Sequence, residues 1–124
     1  MTRDELLRKW VEALESGKYA QAKYALRRDD FYCCLGVVCD LSGRGVWVEN
    51  PAPRHGDDGS HLFEVPDSPF AQEYGLPESI YQLLTLSGDA EKKLWTANDE
   101  GESFQQIAQR IRAMFPDVFA TVPA

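Results

Sequence analysis

Residues 31–41 read FYCCLGVVCDL and carry a single charge, at Asp40. An apolar run of this length is typical of a buried helix or a buried strand, and periodicity alone does not separate the two. The aromatic and β-branched residues favour a strand, whereas Gly43, which suits a C-cap after Ser42, favours a helix that ends there. We prefer the helix. In either form the segment is predicted to be the centre of the core, with Gly36 packed closely against another element.

The three cysteines of the chain, Cys33, Cys34 and Cys39, all lie in this segment. Such close spacing and an odd number are unlike a secreted disulfide framework, so buried, reduced thiols are predicted. A catalytic thiolate would need a partner such as His55 or His61, and nothing in the spacing requires one. Offsets of one and five residues suit zinc poorly, so neither a metal nor a cofactor is predicted.

Helices are predicted on both sides of the central segment. The first spans residues 3–16, because Thr2 and Glu5 form a capping box and apolar residues recur at helical spacing. A short helix is predicted at 77–85 and is expected to end before Gly88. The last helix begins at Ser103 and ends at Pro116, leaving residues 116–124 as a surface tail.

Strands and turns are predicted between these helices. Residues 46–48 and 61–65 read as a hairpin around a loop at 54–60, and residues 94–97 suit a strand or the end of a helix. Asn98 to Gly101 reads as a turn. The prediction is therefore an α+β fold, a small single domain over residues 1–124 with three to four helices and a short antiparallel sheet.

Charge is distributed unevenly along the chain, which carries a formal net charge of -7. Residues 1–54 are close to neutral, whereas residues 55–101 carry ten acidic and two basic side chains. This acidity argues against direct binding to duplex DNA, which requires clustered Lys and Arg. It permits a basic protein partner. The N-terminus does not resemble a signal peptide, and no apolar run approaches the length of a membrane helix, so a cytoplasmic protein with no membrane partner is expected.

The most basic stretch of the chain, residues 18–30, is called the basic arm below. Its Lys and Arg side chains could hold phosphates while nearby aromatic rings stack on a base. The simpler interpretation is a solvated charged surface with packed aromatic residues. The candidate ligand-binding residues are Lys18, Tyr19, Lys23, Arg27, Arg28, Tyr32, Trp47 and Trp95.

A resemblance to a known family supplies biological context. The segment Tyr32–Leu41, together with Ser16–Tyr19 upstream and Asn98–Gly101 downstream, resembles a family of small uncharacterised proteins encoded by tailed phages and prophages. The resemblance covers most of the chain and departs from the pattern at residues 51–70. It implies a phage accessory or counter-defence factor in the cytoplasm of a bacterial host, and it carries over no functional residue.

Three functions are therefore expected, in this order. The first is a binding protein that sequesters a nucleotide-type immune signal of the host in a pocket expected at the subunit interface of a homo-oligomer. The second is an acidic inhibitor that covers the basic surface of a host defence protein, as an anti-CRISPR protein does, with salt-sensitive binding. The third is a small enzyme that processes a nucleotide, which we consider less favoured than binding.

Overall fold

The computed structural model describes residues 1–52 and 59–119. These residues form six helices: α1 (Arg3–Ser16), α2 (Cys34–Ser42), α3 (Glu78–Leu84), α4 (Gly88–Asp99), α5 (Phe104–Met114) and α6 (Pro116–Phe119). They also form five short strands: β1 (Ala20–Gln21), β2 (Arg27–Arg28), β3 (Phe31–Tyr32), β4 (Val46–Glu49) and β5 (His61–Glu64). The α+β class is confirmed, with more helices than the three to four predicted.

The apolar segment at 31–41 forms a two-residue strand followed by the central helix α2. Cys33 caps α2 through its Sγ, which accepts a hydrogen bond from the Gly36 amide at 3.4 Å, and Gly43 ends the helix in the left-handed conformation. Gly36 lies directly against the Leu26 carbonyl, which an added Cβ would overlap. The preference for a helix ending at Gly43 is therefore confirmed, as is the close packing at Gly36.

Helix α1 packs against α2 and α5 around a shared apolar core. Its predicted capping box is present, with Thr2 and Glu5 bonded reciprocally. Trp10 is fully buried and donates its indole Nε1–H to the Cys34 carbonyl at 2.8 Å, which satisfies the one polar atom of a large core side chain.

The strands form two small sheets. In the first, with the order β1–β3–β2, β3 pairs parallel with β1 and antiparallel with β2, so the predicted antiparallel character holds for only one of its pairings. In the second, β4 and β5 form the predicted antiparallel hairpin, in which Trp47 lies opposite Phe63. Most of the predicted loop at 54–60 falls outside the described residues.

The C-terminal half differs from the prediction in two places. Residues 94–97 lie inside α4, so the strand alternative is wrong, and Asn98 and Asp99 belong to the last turn of that helix rather than to a free turn. The predicted surface tail at 116–124 begins with α6, where Pro116 starts a new helix and Val118 is buried against the core. Residues 120–124 lie outside the described residues.

Candidate functional site

Four of the predicted site residues lie together. Tyr19, Tyr32, Trp47 and the core residue Phe63 form a chain of rings with centroids 5.1, 5.8 and 4.8 Å apart. The Arg27 guanidinium lies 5.3 Å from the Tyr32 ring and 5.6 Å from the Trp47 ring. Phe63 is buried and the other three rings are half-buried, and the rings meet mainly edge to face, so they pack on one another instead of offering an open stacking surface.

Asp40 bonds to two members of this chain of rings (Tyr19, Tyr32, Trp47 and Phe63), which we call the aromatic cluster. Its carboxylate accepts a hydrogen bond from the Tyr19 hydroxyl at 2.6 Å and another from the Trp47 Nε1–H at 3.1 Å. Burial, followed by the bond to Asp40, raises the pKa of Tyr19 well above its ordinary value, so the phenol remains a neutral donor. The cluster therefore ties the basic arm, α2 and the hairpin together.

The other four predicted residues are dispersed. Lys23 and Arg28 line a shallow recess of about 280 Å³ together with Ala22, Asp29 and Phe31, which we call the basic recess. Lys18 is exposed at the start of the basic arm, and Trp95 lies on α4, where it lines a different depression. Within the described residues of one chain, the eight candidates thus lie in a packed cluster, a recess, a depression and an exposed position.

A cleft walled by aromatic side chains lies where the basic arm, the segment before α3 and helix α4 meet. Its volume is about 350 Å³, and we call it the aromatic cleft; it is lined by Tyr24, Ala25, Cys33, Tyr74, Gly75, Trp95 and Asp99. Tyr24 is 56% exposed, Tyr74 41% and Trp95 38%. Three large aromatic side chains exposed around one concave surface are typical of a binding site, since core packing would bury them.

Tyr24 has a left-handed backbone conformation, with φ at 66°. A non-glycine residue in this region is strained and persists where surrounding contacts hold it. The contact here is a hydrogen bond of 2.9 Å from the Tyr24 amide to Asp99 Oδ1. Strained residues concentrate at functional sites, and this one places an aromatic ring at the mouth of the cleft.

The buried side chain of Asn98 connects the segments that form the wall of the cleft. Its fully buried carboxamide accepts hydrogen bonds from the Cys34 amide at 3.1 Å and from Gln21 Nε2 at 3.0 Å, and it donates to the Ala22 carbonyl at 2.7 Å. One side chain therefore joins the end of α4 to β1, to the basic arm and to the start of α2. This connection fixes Asp99, the next residue, relative to Tyr24.

Cys33 contributes to the floor of the cleft but is a poor nucleophile. Only 4% of the residue is exposed. Burial raises the pKa of its thiol to about 12, and the amide of Gly36, which favours the thiolate, offsets only part of this effect. Burial also raises the pKa values of Cys34 and Cys39 well above the ordinary value. All three thiols are free, as predicted.

The two histidines give the thiols no activating partner that the structure shows. His61 Nδ1 lies 2.8 Å from the Gly59 carbonyl, and His55 lies outside the described residues. Across residues 1–52 and 59–119, no group of three or more His, Cys, Asp or Glu side chains is arranged to hold a metal ion. Over the same ranges, no helix is long and apolar enough to cross a bilayer.

Sequence reasoning missed three residues of the cleft: Tyr24, Tyr74 and Asp99. Tyr24 lies in the basic arm between two candidates, and its exposure depends on a left-handed backbone that residue type did not indicate. Asp99 was assigned to a turn. An aromatic residue next to a lysine in an arm flanked by turns was the available signal for Tyr24.

A family model described as a domain of unknown function, DUF8296, matches residues 2–115. The chain belongs to this family. No curated protein and no solved structure matches it.

Proposed function

We propose that this protein binds and sequesters a small nucleotide-type ligand, with the base of that ligand in the aromatic cleft. The observation that carries the proposal is the set of three exposed rings, Tyr24, Tyr74 and Trp95, around a concave surface of about 350 Å³. Stacking of a base on an aromatic ring is worth about 1–3 kcal/mol per base. A cleft with several such rings can therefore hold a planar heterocycle without a covalent step.

The basic recess supports the same proposal. The basic arm lines both cavities: Tyr24 and Ala25 line the aromatic cleft, and the preceding residues Ala22 and Lys23 line the basic recess together with Arg28. A nucleotide whose base occupies the cleft can direct its phosphate along this segment toward Lys23 and Arg28, which would supply charge-assisted hydrogen bonds. Asp29 also lines the recess, and its carboxylate limits the negative charge that the recess can accept from a ligand.

Binding without turnover is the form of this function that we favour. The thiol in the cleft is protonated at neutral pH because burial raises its pKa to about 12. The carboxylate of the lining is that of Asp99, whose Oδ1 accepts the Tyr24 amide. A single carboxylate that already accepts a backbone hydrogen bond is a limited basis for catalysis, whereas it can accept a hydrogen bond from a bound ligand.

The biological setting is a further part of the proposal. Resemblance of the Tyr32–Leu41 segment to phage and prophage proteins supports a counter-defence role in the cytoplasm of a bacterial host, where the ligand would be an immune signal. An acidic inhibitor of a basic host protein is the second candidate. The excess of acidic residues in the middle of the chain favours it.

A thermal-shift screen against linear and cyclic nucleotides tests the proposal. A ligand present at 100 times its Kd stabilises the fold by about 2.7 kcal/mol. We expect a raised melting temperature with a ligand that mass spectrometry recovers intact. Recovery of an altered ligand would indicate an enzyme, and no shift with any nucleotide would contradict the proposal and favour the acidic surface and a protein partner.

Matched variants locate the site. Trp95→Ala removes one wall of the cleft and should abolish most of the shift, whereas Tyr81→Ala removes an equally exposed aromatic ring on α3, outside the cleft, and should not. Lys23→Ala should weaken binding of phosphorylated ligands more than of the free nucleoside. Lys9→Ala, an exposed lysine on α1, is its control.

A further inference from the structure

We infer that Asp99 makes the aromatic cleft selective for guanine among the nucleobases. The inference rests on the proposed function, because it assigns the base that the cleft holds. It follows from the position, orientation and hydrogen-bonding state of one carboxylate.

Asp99 is the carboxylate among the residues that line the cleft. It is half-buried, at the last residue of α4. The C-terminal end of a helix carries partial negative charge from its terminal carbonyl groups. Both the carboxylate and the helix end therefore favour a ligand edge that donates hydrogen bonds over one that accepts them.

The orientation of the carboxylate is fixed by the protein. Oδ1 accepts the Tyr24 amide at 2.9 Å and lies 3.4 Å from Asn98 Nδ2, a bond that the buried network of Asn98 supports. Within residues 1–52 and 59–119, Oδ2 accepts no hydrogen bond. The two bonds to Oδ1 thus occupy the lone pairs of that oxygen and fix the plane of the group, whereas Oδ2 keeps both of its lone pairs for a ligand.

Guanine matches this arrangement best. Its N1–H and its 2-amino group are adjacent donors on one edge, and the two lone pairs of Oδ2 can accept both of them. Adenine and cytosine each pair an amino donor with a ring acceptor on the same edge, and that acceptor would face a carboxylate oxygen. Uracil offers one donor between two carbonyl groups. A carboxylate between stacking walls therefore selects guanine by attraction and rejects the other bases by repulsion.

The test compares 5′-monophosphates of guanosine, inosine, adenosine and xanthosine, with binding measured by calorimetry. Inosine lacks the 2-amino group, and xanthosine carries a carbonyl oxygen in its place. Hydrogen bonds to a charged group contribute about 1.5–3 kcal/mol, so the wild-type protein should bind the guanosine nucleotide about 10- to 100-fold more tightly than the inosine nucleotide. The adenosine and xanthosine nucleotides should bind more weakly still.

Asp99→Asn is the decisive variant, because asparagine keeps an oxygen to accept the Tyr24 amide and replaces the other oxygen with an amino group. It should lose the guanosine preference and bind the xanthosine nucleotide more tightly than the wild type does. Trp95→Ala should weaken all four nucleotides without changing their order. Equal affinity of the wild type for all four would overturn the inference and leave the proposed function standing, whereas binding of none would overturn both.

Discussion

The buried carboxamide of Asn98 satisfies the first backbone amide of α2, accepting a hydrogen bond of 3.1 Å from Cys34 N. The same side chain donates to the Ala22 carbonyl at 2.7 Å. Because Cys34 starts the central helix and Ala22 lies in the basic arm, Asn98 connects the core to the candidate site. Stability and ligand binding are therefore expected to depend on it together.

Asn98→Ala should lower the free energy of unfolding by about 2–4 kcal/mol, since it leaves buried backbone donors and acceptors without partners. Unfolding in urea, followed by circular dichroism, measures the change. Gln105→Ala, at an exposed position on α5, is the matched control and should alter stability by less than about 0.5 kcal/mol. Equal stability of the Asn98 variant and the control would contradict the role assigned to the carboxamide.

Gly36→Ala should destabilise the protein by about 3 kcal/mol or more, because its Cβ would overlap the backbone oxygen of Leu26, which cannot move independently. Gly88→Ala is the control: Gly88 also lies in a helix, nothing lies near its added Cβ, and alanine should be neutral or slightly stabilising there. Thermal unfolding of the two variants gives the comparison. A tolerated Gly36→Ala would show that α2 does not pack on the basic arm as described.

Glu91→Gln should stabilise the protein more at pH 7 than at pH 4. Burial raises the pKa of Glu91 above its ordinary value, so the folded state holds its proton more tightly than the unfolded state does. Stability is thus lost as the pH rises from the unfolded pKa through the raised folded pKa. Glutamine removes this loss and can keep the bond from the Leu76 amide. A stability difference that did not change between pH 4 and pH 7 would contradict the prediction.

Cys33→Ser should fold and retain ligand binding, since serine is a good N-cap for α2 and the thiol is not used as a nucleophile. In the native wild-type protein, a disulfide reagent should modify the three buried cysteines slowly, and all three should react at once after denaturation. Fast reaction of one native thiol, or turnover of a nucleotide that Cys33→Ser abolishes, would favour an enzyme.

Much of the fold could be predicted from the sequence where local signals were strong. The capping boxes at Thr2 and Ser103 and the glycine at 43 set helix ends that the structure confirms. The last turn of α4 was predicted as a free turn because Asn98 and Asp99 are residue types typical of turns, whereas tertiary hydrogen bonds from Gln21, Cys34 and Tyr24 retain them in the helix. Tertiary contacts outweighed local preference there.

The candidate site was less predictable. The sequence predicted a site of basic and aromatic side chains, but Arg27 packs on Tyr32 and Trp47, and the exposed rings around the cleft are those of Tyr24, Tyr74 and Trp95. Which aromatic residue is packed and which is exposed depends on strand register and on the left-handed turn at Tyr24. Neither feature is encoded in a local motif.

The central claim, that a nucleobase enters the aromatic cleft, is tested most directly by the indole N–H signals of a ¹⁵N-labelled sample titrated with guanosine and adenosine 5′-monophosphates. Substitution of each tryptophan by phenylalanine assigns its signal. The Trp95 signal should move on titration, while that of Trp10, buried and bonded to the Cys34 carbonyl, should stay in place. A Trp95 signal that did not move, or a change confined to Trp47, would contradict the claim.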